Sequence, residues 1–278
     1  MPELPEVENV RRSLERLIVG RTVQRVRIGR ADIVRRQDDC RSISQALLQG
    51  GRIAQIRRHG KQLAIICDDG RSMCVHLGMS GQLRVLGMGE RLPDATHVHI
   101  AWLLDRGCGR MVFRDPRRFG GVWTFSSFDE LQTARWSSLG PDALPLRAAT
   151  LKRILAGSTR PIKAALLDQA LVAGVGNIYA DESLFRAGVL PGRPSASLDD
   201  VELARLATSI RNILRVAIGA GGSTLRNYVN PTGGRGSFVD DLAAVYGRGG
   251  QPCIVCGQPL QCGAVAQRTT VWCAQCQS

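Results

Sequence analysis

No part of this 278-residue sequence has an apolar run long enough to span a bilayer, and its acidic start lacks the apolar segment of a secretion signal. Basic amphipathic helices and lipidation signals are absent as well. A membrane partner is therefore not expected, and the reading is of a soluble cytoplasmic protein. There is no internal repeat and no low-complexity tract. Negative charge is scarce: 24 Asp and Glu stand against 37 Lys and Arg, giving a formal charge of +13. A pI near 10.1 exceeds what solubility requires and points to a polyanionic partner, nucleic acid rather than a lipid surface. The hydrophobic fraction of 44% fits a folded protein, and the length suits two domains.

Nine cysteines, an odd count without an export signal, fit a reducing compartment better than a disulfide framework. Cys40, Cys67, Cys74 and Cys108 are scattered and read as small core or surface residues. The other five lie within the last 26 positions, where Cys253, Cys256, Cys273 and Cys276 form the pattern C-x2-C-x16-C-x2-C. Two-residue spacing lets both thiolates of a knuckle meet one tetrahedral ion, and four thiolates leave no open position for a water. The expectation is one structural Zn2+, with Cys262 a bystander.

Along the chain, Val7, Val10, Leu14, Leu17 and Ile18 fall at helical spacing after Pro5, which suits a first helical position. Glu3 and Glu6, three apart, then share one side of the helix start. From Thr22 to about Phe125 short β-rich runs follow (52–57, 62–67, 73–77, 97–103 and 111–113), as in a β-sandwich. Periodicity fades over 126–148. Helical segments are predicted near 149–156, 161–170, 178–187 and 198–219, the last with Leu203, Leu206, Ile210, Ile213 and Leu214 on one face. The expected domains are 1–130, a linker 131–148, a helical domain 149–238 and a zinc module 239–278.

Several constellations bear chemistry. "RDPRRFGG" joins three arginines to Phe119, a pairing that can hold a nucleic-acid backbone and wedge a base step, though a charged strand end with a core phenylalanine looks the same. Met79 sits at a Gly-bounded turn, where it suits surface or core equally. Lys61 occupies a hairpin turn, where lysine is common for solubility alone. "GVGNIY" puts Gly174 and Gly176 ahead of a helix start that could hold phosphate, a weak signal in isolation. Arg268, between the zinc knuckles, is placed either to grip phosphate or to sit in solvent.

Taken in order, "MPELPEVE", "HGKQL", "HLGMSGQLR", "DPRRFG", "LGPDAL", "GVGNIYADESLF", "GGSTLR", "VYGR" and the zinc tail make the sequence resemble the bacterial formamidopyrimidine-DNA glycosylases, also called 8-oxoguanine DNA glycosylases. The resemblance covers nearly the whole chain and implies an α+β fold. An N-terminal β-sandwich with an N-terminal helix would be joined to a helical helix-two-turn-helix domain and a zinc-finger β-hairpin, with DNA in the cleft between. It implies excision of oxidised purines, chiefly 8-oxoguanine and formamidopyrimidines, followed by cleavage of the abasic strand on both sides of the sugar.

By the same resemblance, removal of Met1 exposes the secondary amine of Pro2, an α-amino group with an ordinary pKa of roughly 7.7–8.0 that attacks C1′ of a flipped nucleotide. Glu3 acts as general acid/base. Glu6 fixes the amine or relays protons, Lys61 reaches the lesion and its phosphate, and Arg268 grips phosphate and later donates a proton. DNA contacts carry over to His76, His97, Arg118, Lys163, Asn177 and Tyr246. Met79, Arg117 and Phe119 match a void-filling triad, Arg117 pairing with the orphaned base. Thr159, followed by Arg160, stands where the family has a basic contact, and the Gly-rich stretch 223–238 departs from its relatives. The implied partner is damaged double-stranded DNA, without a nucleotide cofactor, for a monomer at the bacterial nucleoid. The alternatives are an endonuclease VIII-like enzyme for oxidised pyrimidines and a catalytically silent DNA-binding relative.

Overall fold

The computed structural model describes residues 1–92, 95–105, 107–223 and 236–278. By their contacts these divide into two compact units, Met1–Ser138 with Gly221–Gly236, and Leu139–Ala220 with Ser237–Ser278. The first opens with α1 (Leu4–Ile18), followed by β1 (Val23–Ile28), β2 (Val34–Gln37), a single turn α2 (Ile43–Ala46), β3 (Ile53–His59), β4 (Gln62–Cys67), β5 (Ser72–His76), β6 (Gln82–Leu86), β7 (Val98–Leu104), β8 (Arg110–Arg114), β9 (Gly121–Phe125) and α3 (Phe128–Leu131). A π-turn, Gln132–Trp136, extends α3.

The strands form two sheets, ordered β1-β7-β8-β6 and β2-β9-β5-β4-β3. Every pairing in them is antiparallel except β2 with β9. The inward residues of both sheets share one core: Val26, Ile100, Trp102 and Phe113 from the first, and Ile53, Ile65, Val75 and Val122 from the second. Val7, Val10, Leu14 and Ile18 of α1 complete it, all at most 1% exposed. The helical spacing of these apolar residues therefore defines the buried stripe of α1. The indole N–H of Trp102 donates to Leu47 O at 2.9 Å, so the largest core side chain carries no unpaired donor. Bulges after Val23 and after Ile53 break the alternation of β1 and β3 and re-aim Val26 and Ile56 inward.

The second unit contains α4 (Ala148–Leu155), α5 (Ile162–Leu167), α6 (Asn177–Ala187), α7 (Asp200–Gly219) and the hairpin β10 (Gln261–Val265) and β11 (Arg268–Trp272). Leu203, Leu206, Ile210, Ile213 and Leu214 of α7 are buried, and a capping box between Asp199 and Glu202 starts the helix. α6 is buried on nearly every face and packs against α5, α7 and β11. It ends at Gly188, whose φ of 71° is left-handed, with Gly188 N donating to Phe185 O and Val189 N to Leu184 O, a Schellman motif.

Two groupings differ from the sequence-based division. The zinc module shares a core with the helices, through Phe185, Val245, Leu260 and Val271. Gly221 to Ser223 and Gly236 group with the sandwich unit, because Ser223 is bonded to Glu6. No helix among the described residues is long and apolar enough to cross a membrane.

Candidate active site and metal centre

The chain start is not frayed. Pro2, Glu3 and Glu6 are buried, and Glu3 is the N-cap of α1 with extended backbone, which puts Pro5 at the second helical position rather than the first. Glu6 lies one turn on, and its Oε2 accepts from Glu3 N at 2.7 Å. Its Oε1 accepts from Ser223 N at 2.7 Å and Ser223 Oγ at 3.0 Å. Gly222 has φ +88°, and a Cβ there would lie 2.8 Å from Glu6 Oε1, so only glycine lets the backbone approach this closely. Glu6 thus fastens the helix start to the stretch that leads into residues 224–235.

Lys61, only 7% exposed, is carried on the two-residue turn Gly60–Lys61 between β3 and β4. It acts on the terminal amine together with Glu3, Glu6 and Arg117. Burial pulls that amine below its ordinary pKa, against the two carboxylates, which raise it, and with Lys61 and Arg117, which lower it further. With Met1 in place the amine is that of Met1 and the Pro2 nitrogen is an amide. Removing Met1 would leave a secondary amine on Pro2, which is itself buried next to Glu3. A buried amine with a depressed pKa keeps a larger neutral, nucleophilic fraction at neutral pH.

At the end of β5, burial and then the charges of Lys61 and Arg135 push His76 down to about 4, with Asp115 opposing. His76 is therefore neutral at physiological pH, and any contact it makes with phosphate is a hydrogen bond without charge. His97 is half-buried, and its carbonyl accepts from Asp115 N at 3.1 Å.

The loop 115–120 is organised by Asp115, which sequence reading missed. Fully buried, it accepts from Ser80 Oγ at 2.6 Å and from Gly120 N at 2.7 Å. Arg117 N donates to Ser80 Oγ at 3.2 Å, joining this loop to the 78–81 turn. Gly78 fits because a Cβ would come within 2.4 Å of the backbone of Phe119 and Gly120. The result is a pair of exposed apolar side chains on adjoining turns, Met79 at 41% and Phe119 at 57%, with the Arg117 guanidinium 4.9 Å from the Phe119 ring centre. Arg118, in left-handed conformation at φ 55°, pairs with Asp32 at 3.2 Å and is half exposed. The Asp-Pro opening of the loop was the available signal for Asp115, since an aspartate there can cap the turn's own amides.

In the second unit, Gln169 shapes the Gly-x-Gly turn by accepting from Gly174 N and donating to Leu167 O and Val175 O. Asn177 starts α6 and donates to Thr269 O at 2.9 Å. Glu182, buried within α6, accepts from three successive amides, Ala244, Val245 and Tyr246, at 2.8–2.9 Å, and so sets the backbone that carries Tyr246. The pair Asp181–Glu182 between the apolar residues Ile178–Ala180 and Leu184–Phe185 was the signal for it.

Lys163 is placed differently from the expectation of a DNA contact. It is fully buried, pairs with Asp181 at 2.7 Å, and donates to Thr269 O at 3.0 Å and Thr270 Oγ1 at 2.7 Å. With its ammonium committed to these partners, Lys163 secures strand β11 rather than presenting charge to a phosphate. Burial pushes the Asp181 carboxyl up, and Lys163 opposes that rise. Arg160 lies in a surface ion pair with Asp168 at 2.9 Å.

Arg268 is exposed at the start of β11, directly after Ala266 and Gln267, which take φ of 50° and 58°. Two non-glycine residues in left-handed conformation form the type I′ turn that normally takes Asn-Gly, at a cost of roughly 1–2 kcal/mol per residue. Between the knuckles, the sulfurs of Cys253, Cys256, Cys273 and Cys276 all lie within 4.8 Å of one another. The separations of 3.9 Å for Cys253–Cys276 and 3.5 Å for Cys256–Cys273 match the roughly 3.8 Å edge of a tetrahedron with Zn–S bonds near 2.3 Å. The four cysteines fit one structural Zn2+, and Cys262, exposed, stands outside the cluster.

Three family models match: the formamidopyrimidine-DNA glycosylase N-terminal domain over residues 1–122, its H2TH domain over 139–229, and the zinc finger found in FPG and IleRS over 250–278. The chain belongs to the formamidopyrimidine-DNA glycosylase family. A formamidopyrimidine-DNA glycosylase of Geobacillus kaustophilus is 41% identical over 281 residues, covering all of both chains. The crystal structure of the MutM (Fpg) protein of Thermus thermophilus matches with a TM-score of 0.86 at 40% identity, covering 99% of this chain and 98% of that one. A Lactococcus lactis Fpg variant solved in complex with Fapy-dG containing DNA matches with a TM-score of 0.88 at 33% identity over the full length of both chains. The α+β architecture and the zinc-finger hairpin are thereby those of the family. The expected departure in the Gly-rich stretch falls largely on residues 224–235, outside the described residues.

Proposed function

We propose that this member of the family excises oxidised purines from double-stranded DNA through a Schiff base on Pro2 and then cuts the strand by β- and δ-elimination. The observation that carries this reading is the burial of Pro2, Glu3, Glu6 and Lys61 at the chain start, where burial and the charges of Lys61 and Arg117 lower the pKa of the terminal amine against the pull of the two carboxylates. The neutral amine attacks C1′, the glycosidic bond breaks with its electron pair leaving on the base, and Glu3 supplies and removes protons as the sugar ring opens. The resulting iminium of a secondary amine has no N–H to lose, so its charge persists as an electron sink. Loss of a C2′ proton expels the 3′ phosphate, and loss of a C4′ proton then expels the 5′ phosphate. Lys61 stabilises the phosphate and the developing charge.

Met79, Arg117 and Phe119, held by the Asp115 loop, fill the space left by the extruded nucleotide, Arg117 facing the orphaned base. His76, His97, Arg118, Asn177, Tyr246 and Arg268 contact the backbone. The zinc ion keeps the β10–β11 hairpin folded and takes no part in bond making. We take the enzyme to act as a monomer without a nucleotide cofactor, at the bacterial nucleoid.

Single-turnover cleavage of a duplex bearing 8-oxoguanine opposite cytosine, beside one bearing oxidised thymine, tests the assignment. Faster nicking of the purine lesion is expected. Faster nicking of the thymine lesion would reassign the chain to the endonuclease VIII-like activity, and no nicking of either would make it a silent binder.

A further inference from the structure

Beside the residues assigned above lies a buried charge cluster without a role in the chemistry so far. Glu8 of α1, 6% exposed, meets three guanidinium groups: Arg11 at 3.0 Å, Arg12 at 2.9 Å and Arg58 at 3.1 Å. Arg11 and Arg12 belong to the same helix, but Arg58 comes from β3, and its side chain is only 7% exposed. Its Nη1 donates at 2.9 Å to the carbonyl of Gly60, the residue immediately before Lys61. One guanidinium therefore ties the helix that begins at the reactive terminus to the turn that carries Lys61.

We propose that Glu8 and Arg58 are positioning residues for Lys61, holding the Gly60–Lys61 turn against α1 so that the ammonium stands beside the N-terminal amine. This rests on the reading of Lys61 and the terminal amine given above. A hairpin turn of this length closes without such help, because Gly60 already supplies the positive φ, +54°, that its first position needs. What the bridging guanidinium adds to the apolar packing of Val7 and Leu63 in the shared core is a directional polar tie from α1 to the turn itself.

The clamp itself does not titrate in the working range. The hydrogen bonds and charges of the arginines outweigh burial and hold the Glu8 carboxyl at about 2. Any change in pH dependence on loosening it must therefore come from the groups that face the amine, which are Glu3, Glu6, Lys61 and Arg117. Lys61 lowers the amine's pKa, so a Lys61 that swings away lets it rise.

The experiment is borohydride trapping of the full-length enzyme on a preformed abasic duplex, as a function of pH, for the unaltered chain, Arg58→Met, Lys61→Ala and the double variant. Arg58→Met should shift the acidic limb of the trapping rate to higher pH by roughly half a unit or more, the size that moving a unit charge from about 4 Å to about 10 Å gives in water. Lys61→Ala should shift it in the same direction, and Arg58→Met should add no further shift on top of Lys61→Ala. Zinc content and a folded thermal transition should be retained. An unshifted limb in Arg58→Met, or shifts that add in the double variant, would overturn the proposal. Should Arg58→Met not fold, Glu8→Gln, which keeps the side-chain volume and removes the counter-charge, gives the same reading. An unaltered chain that forms no adduct at all would instead defeat the underlying assignment of the amine.

Discussion

Replacing Asp115 by asparagine isolates the element that presents Met79, Arg117 and Phe119, the side chains we propose fill the void. Asp115 is fully buried and holds two bonds to a charged acceptor, from Ser80 Oγ at 2.6 Å and Gly120 N at 2.7 Å. Each bond of this kind is worth roughly 1.5–3 kcal/mol when a partner is removed. Asparagine can keep its oxygen toward the Gly120 amide, whose hydrogen cannot turn away. Its NH2 then faces Ser80 Oγ, which must give up its donor role while still accepting from Arg117 N. One bond is kept and one is reversed, so the loss of stability should be about 1–2 kcal/mol, against about 3–5 kcal/mol for alanine, which loses both. Urea unfolding followed by tryptophan fluorescence measures this directly. Because Met79, Arg117 and Phe119 lose a fixed platform, excision of an intact 8-oxoguanine should slow at least tenfold, while cleavage at a preformed abasic site, already unstacked, slows much less. Unchanged stability, or equal losses on the two substrates, would refute the argument that this carboxylate sets the wedge.

Three other perturbations have defined outcomes. An NMR titration of His76 should give a midpoint of about 4, against an ordinary 6.5. A depressed folded-state pKa means that His76 supports the fold above about pH 6.5, and that this support is lost as pH falls through about 4. A midpoint near 6.5 would show that the ring is solvated. Chelating the zinc should strip hydrogen-exchange protection from β10 and β11 and weaken DNA binding while β4 and β5 stay protected, whereas a global loss of protection would contradict the division into two units. Gly222→Ala forces a side chain into left-handed backbone 2.8 Å from Glu6 Oε1, so it should cost about 1–2 kcal/mol or more and slow base excision; wild-type stability would be inconsistent with the packing described.

Residues whose roles depend on local spacing were legible in the sequence. The C-x2-C knuckles define the metal cluster directly, the 3.6-residue pattern marks the buried faces of α1 and α7, and the apolar run 62–67 gives β4 its observed limits. β2, whose Val-Arg-Arg-Gln is almost wholly exposed on an edge, has no apolar alternation to betray it, and the bulge in β1 places Gln24 and Arg25 consecutively in solvent. The π-turn at 132–136 likewise lacks a local signal.

The site was legible only as a resemblance, because its bonds join distant positions. Glu6 and Ser223 are separated by 217 residues, and nothing near either announces the other. Lys163 shows the converse: a basic residue in a DNA-binding region reads as a phosphate contact. Its burial follows from Asp181 and from Thr269 and Thr270 on the hairpin, which sequence order keeps far away.

We take the reacting nitrogen to be the secondary amine left at Pro2. Reducing the complex with 8-oxoguanine DNA by borohydride, digesting it and sequencing the nucleotide-bearing peptide by mass spectrometry tests this most directly. A cross-link is expected on the nitrogen of Pro2 in a peptide lacking Met1. A cross-link on Lys61, or an active enzyme that still carries Met1, would contradict it.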